Sequence, residues 1–434
     1  MAREAWFEVA PSAARLTGSM RDIGYDFPTA VADIVDNSIA AGATRVDVMV
    51  EFDGADSRVF ITDDGSGMSP GALLEALRLG SRRSYAGGEL GRYGLGLKTA
   101  SLSQCRSLTV VTRNSRAAVR TCARALDLDL VEEWDEWAVV DPGPDPQVAR
   151  ARKWLAEGPG TVVLWRNLDR VLPERNPDGG WARRRLEALA TKTAEHLAMV
   201  FHRFIEGLEG RPQLVLTVNG NKVEPWNPFA PHEAARTELA SHAFELNIGE
   251  RAGHVTLRRF VLPSRDRFSA QAEFDRLSGP LNWNRQQGLY IYRADRLVQW
   301  GGWGGIRGID EHTKLARAAL DFGTDLDAVF NINVAKMRVT LPPQLRHMLE
   351  TSINELCVYA NDAYRKTPRG ATRPVPPDLG APAEQRAATH AAVSAGAAVR
   401  AASMQAGEWQ AWQRIAAVLR ETSPEVVELL GLDT

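Results

Sequence analysis

Two kinds of hydrophobic pattern alternate along the first half of the chain. Residues 27–41 place apolar side chains at the three- and four-residue spacing of a helix, and Gly42 supplies a stop after them. Residues 45–52 instead alternate valine with polar side chains, and 58–62 continue as a second short run after a turn that contains Gly54. This second pattern predicts two strands paired as a hairpin.

The alternation of helical and strand patterns continues to about residue 205, which is typical of α/β layers. Further elements are predicted as a short helix at 71–79, strands at 107–112 and 161–165, an exposed excursion at 132–137 and 141–147, and a long helix at 181–205. From about residue 211 the pattern predicts a second α/β unit, with strands at 213–218 and 288–292 and a helix at 343–364.

A change in composition separates the C-terminal segment from the rest. Five prolines and two glycines between residues 366 and 383 indicate a linker, and the alanine-rich remainder predicts helix. The predicted domains are therefore 1–205, 206–365 and 366–434. The fold class is α/β, with a helical tail.

The composition narrows the functional classes. Of the 434 residues 44% are hydrophobic and 24% are charged, no apolar run is long enough to cross a bilayer, and the first thirty residues have no apolar signal region. Cys105, Cys122 and Cys357 have neither disulfide nor zinc-ligand spacing. These features predict a cytoplasmic protein with no membrane partner. The net charge of -2 gives no overall attraction to nucleic acid.

The helix predicted at 27–41 carries the first candidate chemistry. Asp33 and Asn37 are one helical turn apart, so their side chains project together from the side opposite the apolar stripe. An amide oxygen is a ligand that Mg²⁺ accepts beside phosphate oxygens, and a nearby carboxylate can take a proton from an attacking water. A solvated polar face is the alternative interpretation of this pair.

A second candidate follows the strand at 58–62. Asp63 stands at its end and offers an acceptor for an exocyclic amine, while Gly65 and Gly67 let the backbone approach a flat ligand before Met68. A tight turn explains the same residues. Thr161, which opens a later strand, is a candidate to reach the same base, although its β-propensity accounts for it equally well.

The third candidate is a glycine-rich run at 91–99. Gly94 and Gly96 let successive backbone N–H groups point at anionic oxygens, and Lys98 adds positive charge beside Leu97. Because Leu97 separates Gly96 from the lysine, the spacing of a P-loop is not met. A dinucleotide-binding glycine motif after a strand is also missing from the sequence.

Together these motifs resemble the sequence boxes of the GHKL superfamily, which includes gyrase-type ATPases, heat-shock chaperones, histidine kinases and MutL. They are D-I-V-D-N-S at 33–38, D-D-G-S-G-M at 63–68, G-R-Y-G-L-G-L-K at 91–98 and G-T at 160–161. The resemblance covers residues 20–205. It implies ATP and Mg²⁺ as cofactors, a two-layer α+β sandwich of the Bergerat type with helices on one face of the sheet, and a flexible lid over the phosphates.

By position, the resemblance implies that Asn37 binds Mg²⁺ and that Asp63 accepts the adenine amine. The remaining nucleotide contacts would come from Gly65, Gly67, Met68, Gly94, Gly96, Leu97, Lys98 and Thr161. Asp33 occupies the place of the general base, where the family usually has glutamate. Aspartate is one methylene shorter, so the attacking water must lie closer to the helix.

Other segments favour one branch of the superfamily. Residues 79–84, L-G-S-R-R-S, resemble the lid of MORC-type ATPases, and V-N-G at 218–220, Y-I-Y-R at 290–293 and D-R-L at 295–297 resemble the ribosomal-S5-like transducer domain of MORC and MutL relatives. In such proteins a transducer lysine reaches the γ-phosphate, and Lys336 is the candidate here. An exposed strand lysine is the alternative. A histidine kinase is disfavoured, since no histidine precedes the first motif.

The resemblance implies an ATPase that works as an ATP-gated homodimeric clamp, acting with DNA or with a nuclease or methyltransferase subunit in bacterial DNA processing or antiviral defence. Residues 250–320 hold twelve Arg or Lys against seven Asp or Glu, with three tryptophans between them. This stretch could grip nucleic acid, or form a solvated basic face over a tryptophan-containing core. The second hypothesis is a chaperone-like or regulatory nucleotide switch that acts on a protein partner without DNA.

Overall fold

The computed structural model of the chain describes most of the first 365 residues and a short piece of the tail. The described ranges are 9, 11–22, 24–80, 96–114, 120–172, 176–248, 251–332, 339–365 and 414–419. Residues 1–367 form one compact unit, and residues 368–434 form another. Of the predicted linker and helical tail, residues 414–419 are described, and they are helical.

Seven strands form the first sheet of the larger unit, in the order β4-β3-β5-β2-β1-β6-β7. They are β1 (Arg45–Glu51), β2 (Arg58–Asp63), β3 (Ser107–Arg113), β4 (Cys122–Asp127), β5 (Gly160–Arg166), β6 (Val215–Val218) and β7 (Asn221–Lys222). Neighbouring strands run antiparallel except β1 and β6, which are parallel with Arg45 opposite Val215. The predicted hairpin of β1 and β2 is confirmed.

Eight helices accompany this sheet in the described residues: α1 (Ala13–Arg21), α2 (Phe27–Ala40), α3 (Pro70–Leu77), α4 (Gly96–Leu102), α5 (Leu128–Trp134), α6 (Pro146–Trp154), α7 (Gly180–Val200) and α8 (His202–Glu206). The two-residue period of the strands separates two cores. Val59 and Ile61 face the main core, beneath α2, α4 and α7, while Phe60 faces a smaller core with Val148 and Ala151 of α6.

The structure thus confirms a mixed α/β layer fold and changes two details of the expectation. Because α6 covers part of the opposite face, helices lie on both faces of the sheet rather than on one. Residues 132–136 are exposed, as expected, but residues 132–134 form the end of α5, and the Trp137 indole N–H donates to the carbonyl of Leu77, 2.9 Å away.

The strand β6 lies in a different place from the one predicted. Residues 213–218 were expected to belong to the second unit, but β6 extends the first sheet beside β1. Asn219 and Gly220, both with positive φ, form the tight turn from β6 to β7, and the Asn219 side chain accepts a hydrogen bond from the Val50 amide. The first sheet therefore continues beyond the boundary expected at residue 206.

Five strands form the second sheet, in the order β11-β10-β12-β9-β8. They are β8 (Thr237–Ile248), β9 (Arg251–Val261), β10 (Gly288–Arg293), β11 (Arg296–Trp300) and β12 (Ala316–Phe322); the helices are α9 (Gln271–Leu277), α10 (Asn282–Gln286) and α11 (Pro343–Arg365). The β10–β12 pair is parallel, and α11 packs its Leu345, Leu349 and Ile353 into the core of this layer. No helix in the described ranges is long and apolar enough to cross a membrane.

The helices α7 and α8 connect the two layers. Met199 near the end of α7 packs against Tyr290, Tyr292 and Leu297 of the second sheet. His202 of α8 shares a 2.9 Å hydrogen bond with the Tyr292 hydroxyl. The two sheets therefore meet through specific polar and apolar contacts rather than through a solvated linker.

Candidate functional site

The helix α2 positions two side chains in different environments one turn apart. Its N-cap is Asp26, whose carboxylate accepts the Thr29 amide at 3.0 Å, and Pro28 lies in the first turn. The apolar stripe is buried against the sheet, and the candidate side chains project from the opposite side of the helix. There Asp33 is only 1% exposed, whereas Asn37 is exposed to solvent.

The carboxylate of Asp33 lies between an aromatic hydroxyl and the start of α4. The Tyr25 hydroxyl donates to Asp33 Oδ2 at 2.8 Å, and burial together with the charge of Asp33 raises the pKa of Tyr25, which keeps it a donor. A β-carbon added at Gly96 would stand 3.7 Å from the same oxygen. The structure therefore brings the end of the glycine-rich run against the predicted general base.

Asp63 ends β2 in a buried cradle of donors. Ser38 on α2 donates its hydroxyl to Asp63 Oδ2 at 2.8 Å, and the Gly65 amide donates to Oδ1 at 2.9 Å. Burial is the largest influence and raises the pKa of Asp63 to about 6, against the opposing effect of these hydrogen bonds. The next residue, Asp64, instead binds the amides of Thr44 and Arg45 and so ties the start of β1 to the end of β2.

The two glycines after Asp63 fit a backbone that is closely packed. A β-carbon at Gly65 would come within 2.9 Å of the Ala41 side chain. Gly67 has φ +65°, and a β-carbon there would stand 1.9 Å from the carbonyl oxygen of Arg113. Since that neighbour is backbone, a side chain at position 67 has no room.

A threonine pair lies beside this loop. The Thr112 hydroxyl accepts the amide of Met68 at 2.9 Å, donates to the Gly160 carbonyl at 2.9 Å and lies 3.1 Å from the hydroxyl of Thr161. Thr161 is also directly opposite Asp63 in the β2–β5 ladder. Asp63, Met68 and Thr161, predicted from separate motifs, are therefore within one small region.

Lys98 is buried within the fold and contacts α3. Its side chain is fully buried, and its Nζ donates to the carbonyl of Ala76 on α3 at 2.7 Å. Burial lowers the pKa of Lys98 to about 8. Leu97 beside it is half-buried and packs on the main core. Gly94 and Lys336 lie outside the described residues, so their predicted roles stay predictions.

Three residues near the site were not singled out from the sequence. Ser38 belongs to the D-I-V-D-N-S motif and could have been found by its position one residue after Asn37. Tyr25 and Thr112 carry no motif signal, because their contacts with Asp33 and Met68 depend on the tertiary fold. A fourth, Arg296 of the second sheet, forms a buried ion pair with Asp36 of α2.

The basic stretch at 250–320 is less available to nucleic acid than its composition indicated. Four of its arginines are buried, and their partners are carboxylates or backbone carbonyls: Arg259, Arg293, Arg296 and Arg317. Trp303 is also buried, while Trp283 and Trp300 are half-buried. The alternative interpretation, a basic face over a tryptophan-containing core, accounts for this part of the pattern.

The site residues fall within a region that matches a known family. Residues 25–154 match the family described as Histidine kinase-, DNA gyrase B-, and HSP90-like ATPase. This region contains Asp33, Asn37, Asp63 and Gly96. The chain therefore contains an ATPase domain of the GHKL superfamily, as the motifs predict, and such a domain implies an ATP site.

Individual relatives fall in two groups. DNA mismatch repair protein MutL of Rhodospirillum rubrum is 35% identical over 102 residues, covering 23% of this chain and 16% of MutL. MutL of Afipia carboxidovorans is 29% identical over 260 residues, covering 57% of this chain and 37% of MutL. Protein MICRORCHIDIA 5 of Arabidopsis thaliana is 35% identical over 92 residues, covering 20% of this chain and 13% of that protein. The chain thus resembles MutL and MORC proteins, and it spans well under half the length of each.

The packing of Gly67 gives a direct test of the pocket loop. Gly67→Ala places a β-carbon against the Arg113 carbonyl at a positive φ, so we expect the free energy of unfolding to fall by at least about 1 kcal/mol and ATP binding to weaken. Gly71→Ala is the matched control, since its β-carbon would meet open space within α3. Thermal unfolding and ATP titration measure both. Equal stability of the two variants would contradict the packing described above.

The raised pKa of Asp63 predicts a pH-dependent stability. The folded protein holds this proton more tightly than the unfolded chain, so the stabilisation is complete below about pH 4 and is lost as the pH rises through about 6. We expect wild type to lose up to about 3 kcal/mol relative to Asp63→Asn across this window. Denaturant titrations at pH 4, 5, 6 and 7 measure it. Asp56→Asn, which removes an exposed carboxylate near β2, is the control. The prediction fails if the free energy of unfolding depends on pH in the same way in both variants.

Proposed function

We propose that the chain binds ATP with Mg²⁺ in the cleft beside α2 and hydrolyses it to ADP and phosphate. The observation that supports this most directly is the arrangement around Asp33. A buried carboxylate lies against Gly96 at the end of the glycine-rich run, one helical turn before an exposed amide on Asn37. A solvated polar face would not bury the first of these residues.

The residues present fit a bound Mg-ATP. Asp63 would accept a hydrogen bond from the adenine amine, and the close-packed Gly65 and Gly67 leave the loop without side chains at those positions. Asn37 would contribute one amide oxygen to Mg²⁺, which takes few ligands from protein and keeps phosphate oxygens and water for the rest. The metal would supply positive charge at the phosphates. The family resemblance assigns phosphate contacts to Gly94, Gly96, Leu97 and Lys98 as well.

In the hydrolytic step Asp33 would act as the general base. As the water oxygen bonds to the terminal phosphorus, Asp33 accepts the water proton, and the electron pair of the breaking phosphorus–oxygen bond leaves with ADP. The Tyr25 hydroxyl donates to one oxygen of the carboxylate. The neighbours of the second oxygen therefore determine where that oxygen points. Because aspartate is shorter than the usual glutamate, the water must approach α2 closely.

We propose further that ATP closes two copies of the chain into a clamp that acts on DNA in the cytoplasm. This is supported by the resemblance to MutL, two representatives of which are named for DNA mismatch repair, and by the contacts that join the second sheet to the ATPase layer. Lys336 would contact the γ-phosphate and so couple the nucleotide state to the second layer. A nuclease or methyltransferase subunit, and a role in antiviral defence, extend the same hypothesis. The alternative is a nucleotide switch that acts on a protein partner.

Substitution of the base separates binding from hydrolysis. Asp33→Asn keeps the size of the side chain but cannot accept the proton, so we expect at least about a hundredfold loss of turnover with little change in ATP affinity. Asn37→Ala is the complementary variant and should lose Mg-dependent binding. Phosphate release and nucleotide titration with and without Mg²⁺ measure these effects. If Asp33→Asn turns over ATP at the wild-type rate, the assignment of the base is wrong.

The clamp predicts a change of mass with nucleotide state. We expect a monomer with ADP and a dimer with a non-hydrolysable ATP analogue when the mass is measured by light scattering after size exclusion. The same samples, mixed with duplex DNA over a series of salt concentrations, should show DNA binding that the analogue strengthens. A constant mass would contradict the clamp. A dimer that binds no DNA with either nucleotide would favour the nucleotide switch that acts on a protein partner.

A further inference from the structure

Arg296 is a residue of the second sheet whose side chain contacts α2 of the ATPase layer. It is the first residue of β11, directly after a tight turn in which Ala294 and Asp295 both have positive φ. Its side chain is 3% exposed and lies over the Phe201 ring, with the guanidinium carbon 5.9 Å from the ring centroid. The guanidinium is therefore held between the second sheet and the helix layer.

One guanidinium serves two carboxylates of α2. Arg296 Nε lies 3.0 and 2.9 Å from the two oxygens of Asp36, and Nη2 lies 3.6 Å from Asp33 Oδ1. Both carboxylates are buried. The shorter contacts anchor the arginine on Asp36, and the longer one places its charge beside the oxygen of Asp33 that Tyr25 does not hold.

A buried carboxylate is stable in its ionised form only when positive charge or donors compensate for the lost water. Tyr25 supplies one donor, and Arg296 supplies the nearby positive charge. We infer that Arg296 is a positioning residue for ATP hydrolysis, which orients the Asp33 carboxylate through its charge and is itself anchored on Asp36. The inference rests on the proposed function and extends it, because it makes turnover depend on a residue of the second sheet.

The other titratable groups around this cluster allow the effect to be isolated. They are Tyr25 before α2, Asp26 at the N-cap of α2, Asp36 on α2 and His196 on α7. Burial, and then the charge of Arg296, lowers the pKa of His196 to about 4, so this ring is neutral above pH 5. The raised pKa of Tyr25 keeps it protonated. Burial raises the pKa of Asp63 to about 6, so this group also contributes to the acid limb of the turnover profile, and it is common to all the variants compared below.

Two substitutions should move the acid limb of the pH profile of the single-turnover rate in opposite directions. Arg296→Met removes the positive charge, so the acid limb of the single-turnover rate should shift up by about one pH unit, with about a tenfold slower rate below it. Asp36→Asn removes the competing carboxylate and lets Arg296 act on Asp33 alone, so the limb should shift down. Binding of a non-hydrolysable ATP analogue should change by less than about threefold in both.

Further variants separate positioning from a general effect on folding. The double variant Arg296→Met/Asp36→Asn should unfold at a higher temperature than Arg296→Met, because it leaves no unpaired carboxylate at position 36. Arg296→Lys restores the charge and should return the limb toward wild type. Arg293→Met is the matched control. It breaks a comparable buried pair of the same hairpin with Asp327, 2.6 and 2.7 Å long, and should lower the unfolding temperature while leaving the limb in place.

The outcomes distinguish the inference from the function on which it depends. If wild type does not hydrolyse ATP, the proposed function fails. If wild type hydrolyses ATP and Asp33→Asn does not, but Arg296→Met and Asp36→Asn both keep the wild-type limb, the inference alone is overturned. Should Arg296→Met fail to fold, the downward shift with Asp36→Asn and the rescue by Arg296→Lys decide the question. An unshifted limb in those two folded variants would also overturn it.

Discussion

The burial of two carboxylates on one face of α2 is the constraint on which the site depends. Asp33 and Asp36 are removed from water by the packing of α2 against its neighbours, and each ionised carboxylate would be unstable there alone. Breaking a buried ion pair by removing one partner typically destabilises a protein by about 3–5 kcal/mol. The compensating charge comes from Arg296, which is 260 residues away in the chain. The chemistry of the first layer is therefore set partly by the second.

The region around Asp63, proposed to bind the base, is built on a different principle. There the polar groups are neutral donors around one carboxylate, supplied by Ser38 and by the backbone of the following loop. Close packing of Gly67 against the β3 backbone fixes that loop without any charge. Under the proposed function, these neutral donors and the closely packed loop would suit the flat, uncharged base of a nucleotide.

Much of this was predictable from local patterns. The helix at 27–41 and the hairpin after it follow from apolar periodicity; their first residues are as predicted, and their last residues differ by one. The four motifs predicted the ATPase domain because each is short and local. The parallel pairing of β6 with β1 was missed because it depends on which sheet edge is free. Arg296 was missed as a partner of α2 for a related reason: a lone arginine in a D-R-L sequence gives no sign of which carboxylate, far along the chain, it will neutralise.

The placement of β6 has an implication for how such proteins diversify. Because β1 completes its hydrogen bonding with a strand that follows the long helix α7, a recombination event near residue 205 would leave a central strand with an open edge. The same event would separate α2 from its arginine. Exchange of whole modules between relatives is therefore expected to succeed only when the junction lies beyond β7. The exchanged segment must also include the matching β11, so that the carboxylates of α2 and their arginine are inherited together.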